Sequence, residues 1–296
     1  PGKGLCFTAE EPITILLTKA RRFYDAGVRT FAVLFDDIPS RLEHEEDRRQ
    51  FDGSLAKAEA IWLKKLLDRQ PATWTDMEWW ICPSYYTGDP LLARMFGDFE
   101  PRFLETLAAY LPESVACFWT GPSVVSKKIT LAHVHKVVNR LNHRLILWDN
   151  YPVNDLSMSQ EMYLAPLIGR DPRLPEQVYG YLNNPLLQEA LSFIPLATCF
   201  DYAAAPSSYK PEKSWEQVIK ERFGRKALVH WRTIREFCEC INKAKNKRRP
   251  FMLSAKKLSP LKAAHRYILE NRGRRWFEEF RPWVKLMEKS LTRKGN

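Results

Sequence analysis

Five short apolar runs, each stopping abruptly at polar or aromatic side chains, constrain the fold of this chain more than any other feature. The first is Thr30-Phe-Ala-Val-Leu-Phe35, which ends at Asp36-Asp37. Met77-Glu-Trp-Trp-Ile-Cys82 leads into Pro83-Ser-Tyr-Tyr86, and Ser114-Val-Ala-Cys-Phe-Trp119 into Thr120-Gly-Pro122. Arg144-Leu-Ile-Leu-Trp148 leads into Asp149-Asn150, and Gln177-Val-Tyr-Gly-Tyr-Leu182 into Asn183-Asn-Pro185. Continuous runs of this length read as buried strands, and the first in particular as a strand covered on both faces. Helix patterns lie between them, such as Leu55–Leu67 and Ala132–Leu141. Upstream, Thr8-Ala-Glu-Glu11 has the form of a capping box ahead of a helix running through Phe23, with Gly27 placed for its C-terminus.

Repeated βα units require a parallel sheet, and polar groups at successive carboxyl ends are where a (βα)8 barrel assembles its active site. Five strands are visible, whereas closure needs eight. The expected α/β fold is therefore a TIM-type barrel with about three N-terminal βα units falling before Pro1. From about Ser207 the pattern turns wholly helical. Trp215, Val218, Ile219 and Phe223 keep helical spacing, as do Trp231, Ile234, Phe237, Cys238 and Ile241. A third stripe comprises Trp276, Phe277, Phe280, Trp283, Val284 and Met287, with Pro282 as an expected kink or break and Asn246–Pro250 as a connecting loop. The expected division is a partial barrel over 1–206 and a small all-α bundle over 207–296.

Charge follows the same division. The net +11 arises from +15 over residues 211–296, with 24 Lys and Arg against 9 Asp and Glu, and −4 over the remainder. A solvated basic face is the expected reading, with no nucleic-acid partner, although Lys243, Lys245, Lys247, Arg248 and Arg249 cluster. No run of about 18 apolar residues predicts a transmembrane helix, and the opening PGKGLCFTAEEP carries no signal-peptide pattern. The six cysteines are scattered through apolar contexts, which predicts buried thiols rather than a disulfide framework. Cys238 and Cys240 lie about 200° apart on a helix, as do His133 and His135, which is poor geometry for sharing a metal; neither metal nor cofactor is expected. Gly121-Pro-Ser-Val-Val-Ser-Lys127 lacks the second glycine of a phosphate loop.

Taken alone, Asp36-Asp37 could be an ordinary turn in which Asp37 caps the next helix. The other strand ends change its setting, because Tyr86, Trp119, Trp148, Asn150 and Asn184 would share one barrel rim with it. Aromatic rings suit the C–H faces of sugars, and carboxylates and amides suit their hydroxyls. Phe35-Asp-Asp-Ile38, Cys82-Pro-Ser-Tyr-Tyr86, Trp119-Thr-Gly-Pro122, Trp148-Asp-Asn-Tyr-Pro-Val-Asn-Asp155 and Asn183-Asn-Pro185 together resemble the ordered signatures of glycoside hydrolase family 84. Pro211-Glu-Lys-Ser-Trp215 resembles the start of the helical domain that follows the barrel in that family.

The resemblance implies an enzyme that removes terminal β-linked N-acetylglucosamine from a glycoside or glycoprotein, O-GlcNAc-modified protein included. It implies substrate-assisted retention, in which the sugar's 2-acetamido oxygen attacks C1 and forms an oxazoline, an exception to the usual two-carboxylate scheme. Asp36 would then accept the acetamido N–H, while Asp37 would protonate the leaving oxygen and later deprotonate water. Two close carboxylates repel, so one of them should titrate high enough to serve as an acid. Tyr86, preferred to Tyr85 for its spacing from Pro83, would bond the acetamido group. Trp148 would wall its pocket, Asn150 would lie near the leaving oxygen, Asp155 would bind O4 and O6, and Asn184 would contact the same ring. The family also takes a sugar-binding glycine and lysine from earlier strands, for which residues 1–296 hold no counterpart. A carbohydrate-binding module without turnover is the alternative that follows from that departure.

Overall fold

The computed structural model describes residues 4–246 and 255–292. In chain order the elements are α1 (Glu11–Asp25), β1 (Thr30–Leu34), α2 (Glu45–Gln50), α3 (Leu55–Arg69), β2 (Glu78–Cys82), α4 (Pro90–Phe96) and α5 (Phe103–Tyr110). There follow β3 (Ala116–Trp119), α6 (Leu131–Leu141), β4 (Leu145–Asp149), α7 (Leu174–Gln177), β5 (Gly180–Asn183) and α8 (Glu189–Ala204). Last come α9 (Pro211–Phe223), α10 (Leu228–Asn246), α11 (Ala255–Glu270) and α12 (Arg275–Thr292). All five expected strands form, and they make one sheet in the order β1-β2-β3-β4-β5. The pairings β1–β2, β2–β3 and β3–β4 are parallel.

The described chain consists of two compact units, residues 1–149 with 173–182, and residues 150–172 with 183–296. The expected boundary at 206/207 falls inside the second unit, in the turn after α8.

In the first unit, side chains alternate between two clusters with the period of two that a strand imposes. Val33, Trp79, Ile81, Cys117, Trp119, Leu145 and Leu147 pack with the buried faces of α3, α5 and α6. Cys82, Phe118 and Ile146 face the other way and form a smaller cluster with Tyr86 and Leu92. Strand β1 departs from expectation here. Only Val33 within it is buried, and Leu34 is 37% exposed, so β1 is covered on one face rather than both.

Helix α1 also departs from its expected start. It begins at Glu11 with Glu10 at the N-cap and no side-chain cap bond, so the Thr8–Glu11 capping box does not form. Buried Asp47 competes for that segment, accepting Phe7 N–H at 2.9 Å and Thr8 N–H at 2.8 Å. The end of α1 follows expectation. Gly27 takes φ 100°, its N–H reaches Tyr24 O, and Val28 N–H reaches Phe23 O, the paired bonds of a Schellman motif.

In the second unit, the three expected apolar stripes are buried on α9, α10 and α12, with Trp215, Trp231, Ile234, Phe280 and Met287 fully enclosed. Pro282 does not break α12, which runs unbroken across it. The expected Asn246–Pro250 loop, with Lys247, Arg248 and Arg249, lies outside the described residues from 247 onward.

Candidate active site

Parallel pairing brings the carboxyl ends of β1 to β4 to one edge of the sheet in the first unit. Phe35 N–H extends the ladder to Cys82 O at 2.8 Å, and the chain turns immediately afterwards. Asp37 sits in the left-handed region at φ 57°, which aspartate tolerates because its short polar side chain can bond locally. This turn sends the neighbouring carboxylates into different surroundings: Asp36 is half-buried and Asp37 exposed. Burial raises the Asp36 carboxyl above its ordinary range, and the charge of Asp37 adds to the rise.

Tyr86 donates its hydroxyl to Asp37 Oδ1 at 2.9 Å and is only 7% exposed. Burial and then the bond to Asp37 push its phenol far above the usual value, so it stays a donor. Tyr85 instead sets its ring 5.2 Å from Phe99, 5.7 Å from Phe103 and 5.9 Å from Trp119. Trp148, half-buried at the end of β4, sets its ring edge-on to Phe118 at 5.2 Å. Phe118 in turn meets Trp80 edge-on at 5.6 Å, so an aromatic row crosses the sheet face that also carries Cys82 and Tyr86. Trp119 faces the opposite cluster, and its Nε1–H donates to His133 Nε2 at 2.9 Å. His133 is thus an acceptor to a core indole, and burial lowers its pKa.

In the second unit, Asn184 Nδ2 donates to Asn150 Oδ1 at 3.1 Å. Asp155 is half-buried at the start of a single 3-10 turn, Leu156–Met158, where its backbone oxygen accepts Met158 N–H at 2.8 Å. The structure thus joins Asp37 to Tyr86 and Asn150 to Asn184 by hydrogen bonds, places Asp36 next to Asp37 in the chain, and leaves Trp148 and Asp155 outside both bonded pairs.

Three organising residues were not singled out from sequence. Asn154, fully buried, donates to Glu161 O and Gln188 Oε1 and accepts Leu187 N–H, each at 2.8 Å. Its signal was available, since it directly precedes Asp155. Asp149, also fully buried, accepts the Tyr181 hydroxyl. Glu59 lies on α3 at 0% exposure, and both its carboxylate oxygens lie 3.3 Å from Ser84 N. Nothing in its local pattern marks it. Among the described residues, no group of three or more His, Cys, Asp or Glu is placed to share a metal ion.

A parallel α/β sheet with neighbouring carboxylates, a tyrosine hydroxyl and an indole at its carboxyl-terminal edge has the layout of the α/β enzymes that act at their strand ends. Within that class, the chain belongs to the beta-N-acetylglucosaminidase family, whose family model matches residues 1–236. This bears out the expected membership of glycoside hydrolase family 84. Protein O-GlcNAcase from Mus musculus and that from Rattus norvegicus are each 26% identical to it over 200 residues. Those alignments cover 67% of this chain and 21% of each relative, so the chain spans about a fifth of their length. A solved structure of an O-GlcNAc hydrolase mutant from Thermobaculum terrenum is similar with a TM-score of 0.82 and 29% identity. That match covers 98% of this chain and 64% of the other, and within it the five parallel strands form a half-barrel.

Proposed function

We propose that this protein hydrolyses terminal β-linked N-acetylglucosamine with retention, through an oxazoline formed by the substrate's own acetamido group, and that O-GlcNAc-modified protein is among its substrates. The observation that carries this reading is the hydrogen bond from the Tyr86 hydroxyl to Asp37, with half-buried Asp36 directly beside it. The proposed architecture is a (βα)8 barrel that includes residues 1–206, followed by a helical domain over 207–296.

Each role follows from the chemistry of its side chain. Asp36 accepts the acetamido N–H and offsets the positive charge that develops on the oxazoline ring. Burial, which disfavours its charged form, makes Asp36 the high-titrating member of the pair although it is not the residue assigned as the acid, and the cation that develops beside it favours its ionised form. Asp37 is exposed, which suits a group that must reach first the leaving-group oxygen and then water. Tyr86 keeps its proton throughout the working pH range, and when substrate binds it exchanges its bond to Asp37 for one to the acetamido oxygen, which it holds for attack on C1. Trp148 offers an apolar wall for the acetamido methyl. Asn150 is assigned to the leaving-group region, and Asp155 and Asn184 to hydroxyls of the same sugar.

The test is turnover of aryl β-N-acetylglucosaminides by the full-length protein. Asp37→Ala is expected to lower kcat/KM about 100-fold or more for a poor leaving group and far less for one that needs no protonation. Wild-type rates for that variant on poor leaving groups would remove Asp37 from its role. Tight thiazoline binding without turnover would instead mark a carbohydrate-binding module. Turnover insensitive to thiazoline would point to a glycosidase using two protein carboxylates.

A further inference from the structure

Helix α3 presents an almost uninterrupted apolar face, with Leu55, Ala56, Ala58, Ala60, Trp62, Leu63 and Leu66 all buried. Glu59 sits among them with no exposed surface. A leucine would complete that face without desolvating a carboxyl group, so the acid calls for a polar reason. Burial raises its pKa to about 8, with Glu100 adding to the rise, so it is largely protonated near neutrality.

The polar reason lies in the segment after β2. Ser84 is 1% exposed, and its backbone N–H points at both Glu59 oxygens. Pro83 before it has no N–H, which leaves Ser84 as the first donor of this turn to satisfy. Two residues on, Tyr86 donates to Asp37, while its own carbonyl accepts Thr120 N–H at 3.0 Å. Buried Thr87 donates its hydroxyl to Gly121 O at 2.9 Å. One flank of segment 83–87 is therefore tied to the loop after β3, and on the other flank the Ser84 N–H is held by Glu59 while the Tyr85 ring packs on Phe99, Phe103 and Trp119. Burial raises the Cys82 thiol where β2 ends, and the charges of Asp36, Glu59 and Asp37 add to the rise.

We propose that Glu59 is a positioning residue, which holds the Pro83–Tyr86 turn from behind the sheet so that the Tyr86 hydroxyl meets Asp37. The proposal rests on the reading of Tyr86 and Asp37 as reaction-centre groups. Glu59 touches no substrate and acts through Ser84 N–H. An acceptor oxygen is what the turn requires of it, and the negative charge is not.

The experiment compares Glu59→Gln, Glu59→Leu and Glu59→Asp in the full-length protein on aryl β-N-acetylglucosaminides, with the carboxyl titrations of Asp36 and Asp37 followed by NMR. Glu59→Gln keeps an acceptor and is expected to retain most of kcat. Glu59→Leu removes it and is expected to lower kcat about ten-fold with a smaller change in KM, and to shift the Asp37 titration. If the leucine variant does not fold, Glu59→Asp withdraws the acceptor by one methylene and should give the same two changes. A well-folded Leu or Asp variant with wild-type kcat and an unmoved Asp37 titration overturns the proposal. So does a Gln variant as impaired as the Leu variant. Should the wild-type protein show no turnover, the functional reading fails, and the NMR titration still decides whether Glu59 sets the Tyr86–Asp37 contact.

Discussion

Adjacent residues of one type can carry opposite assignments because the backbone sends them into different media. Asp36 and Asp37 are consecutive, yet one is half-buried and the other exposed, since the left-handed turn at Asp37 separates their side chains. Sequence spacing favoured Tyr86 over Tyr85, and the turn after β2 sends Tyr86 to Asp37 while Tyr85 packs on Phe99, Phe103 and Trp119. Glu59 shows the reverse. Its neighbours make it look like a polar position on an amphipathic helix, and only the packing of α3 encloses it. A carboxyl whose pKa is raised on folding binds its proton more tightly in the native state. Its stabilising contribution is therefore complete below about pH 4.5 and declines as pH rises toward about 8. Thermal unfolding should show this decline, of the order of a few kcal/mol, and Glu59→Gln should flatten it, with Glu100 and Cys82 left as the nearby titrating groups. A wild-type profile without that slope would count against a neutral buried Glu59.

Elements form where local pattern and tertiary contacts agree, and shift where they compete. The first four strands and the α9, α10 and α12 stripes appear where periodicity placed them, because burying an apolar stripe outweighs small propensity differences; the fifth strand starts only at Gly180, after the helical turn Leu174–Gln177, and none of its residues is fully buried. The Thr8–Glu11 capping box loses to Asp47, which offers Phe7 and Thr8 N–H a charged acceptor away from water. Gly121, in the loop after β3, marks a position where the element itself sets the residue type. It adopts φ 102°, and a Cβ there would lie 2.6 Å from Ser126 Oγ. Ser126 Oγ cannot move without cost, since it donates to Thr120 O or Ser123 O and accepts Ser123 N–H. Gly121→Ala should therefore destabilise the fold by about 1–3 kcal/mol, measurable by denaturant unfolding. It should also weaken turnover, because the Thr87 hydroxyl is anchored on the same residue.

Across the whole molecule, charge is distributed very unevenly, and the fold shows where part of it goes. Arg232 and Lys220 pair with Glu216, Arg235 with Glu212 and Glu239, and Arg275 with Glu189 and Glu279. Such surface pairs contribute little stability singly, but they divide the basic excess among local acidic partners. The protein is therefore expected to bind duplex DNA only weakly and without a steep salt slope; strong retention at physiological salt would mark a polyanion-binding face instead.

The sequence by itself determined the parallel βα plan, the three apolar stripes and the residues at the strand ends. These are properties of short-range periodicity, where each residue's neighbours along the chain state which side it must face. The family was legible on the same basis, because five ordered motifs lie at those strand ends. Tertiary structure alone decided which carboxyl rises, which face of β1 stays open, and that Glu59 stands behind the Tyr86 turn. Each of those depends on groups dozens of residues apart approaching within a few ångströms, and on the loss of water between them, which no local pattern encodes.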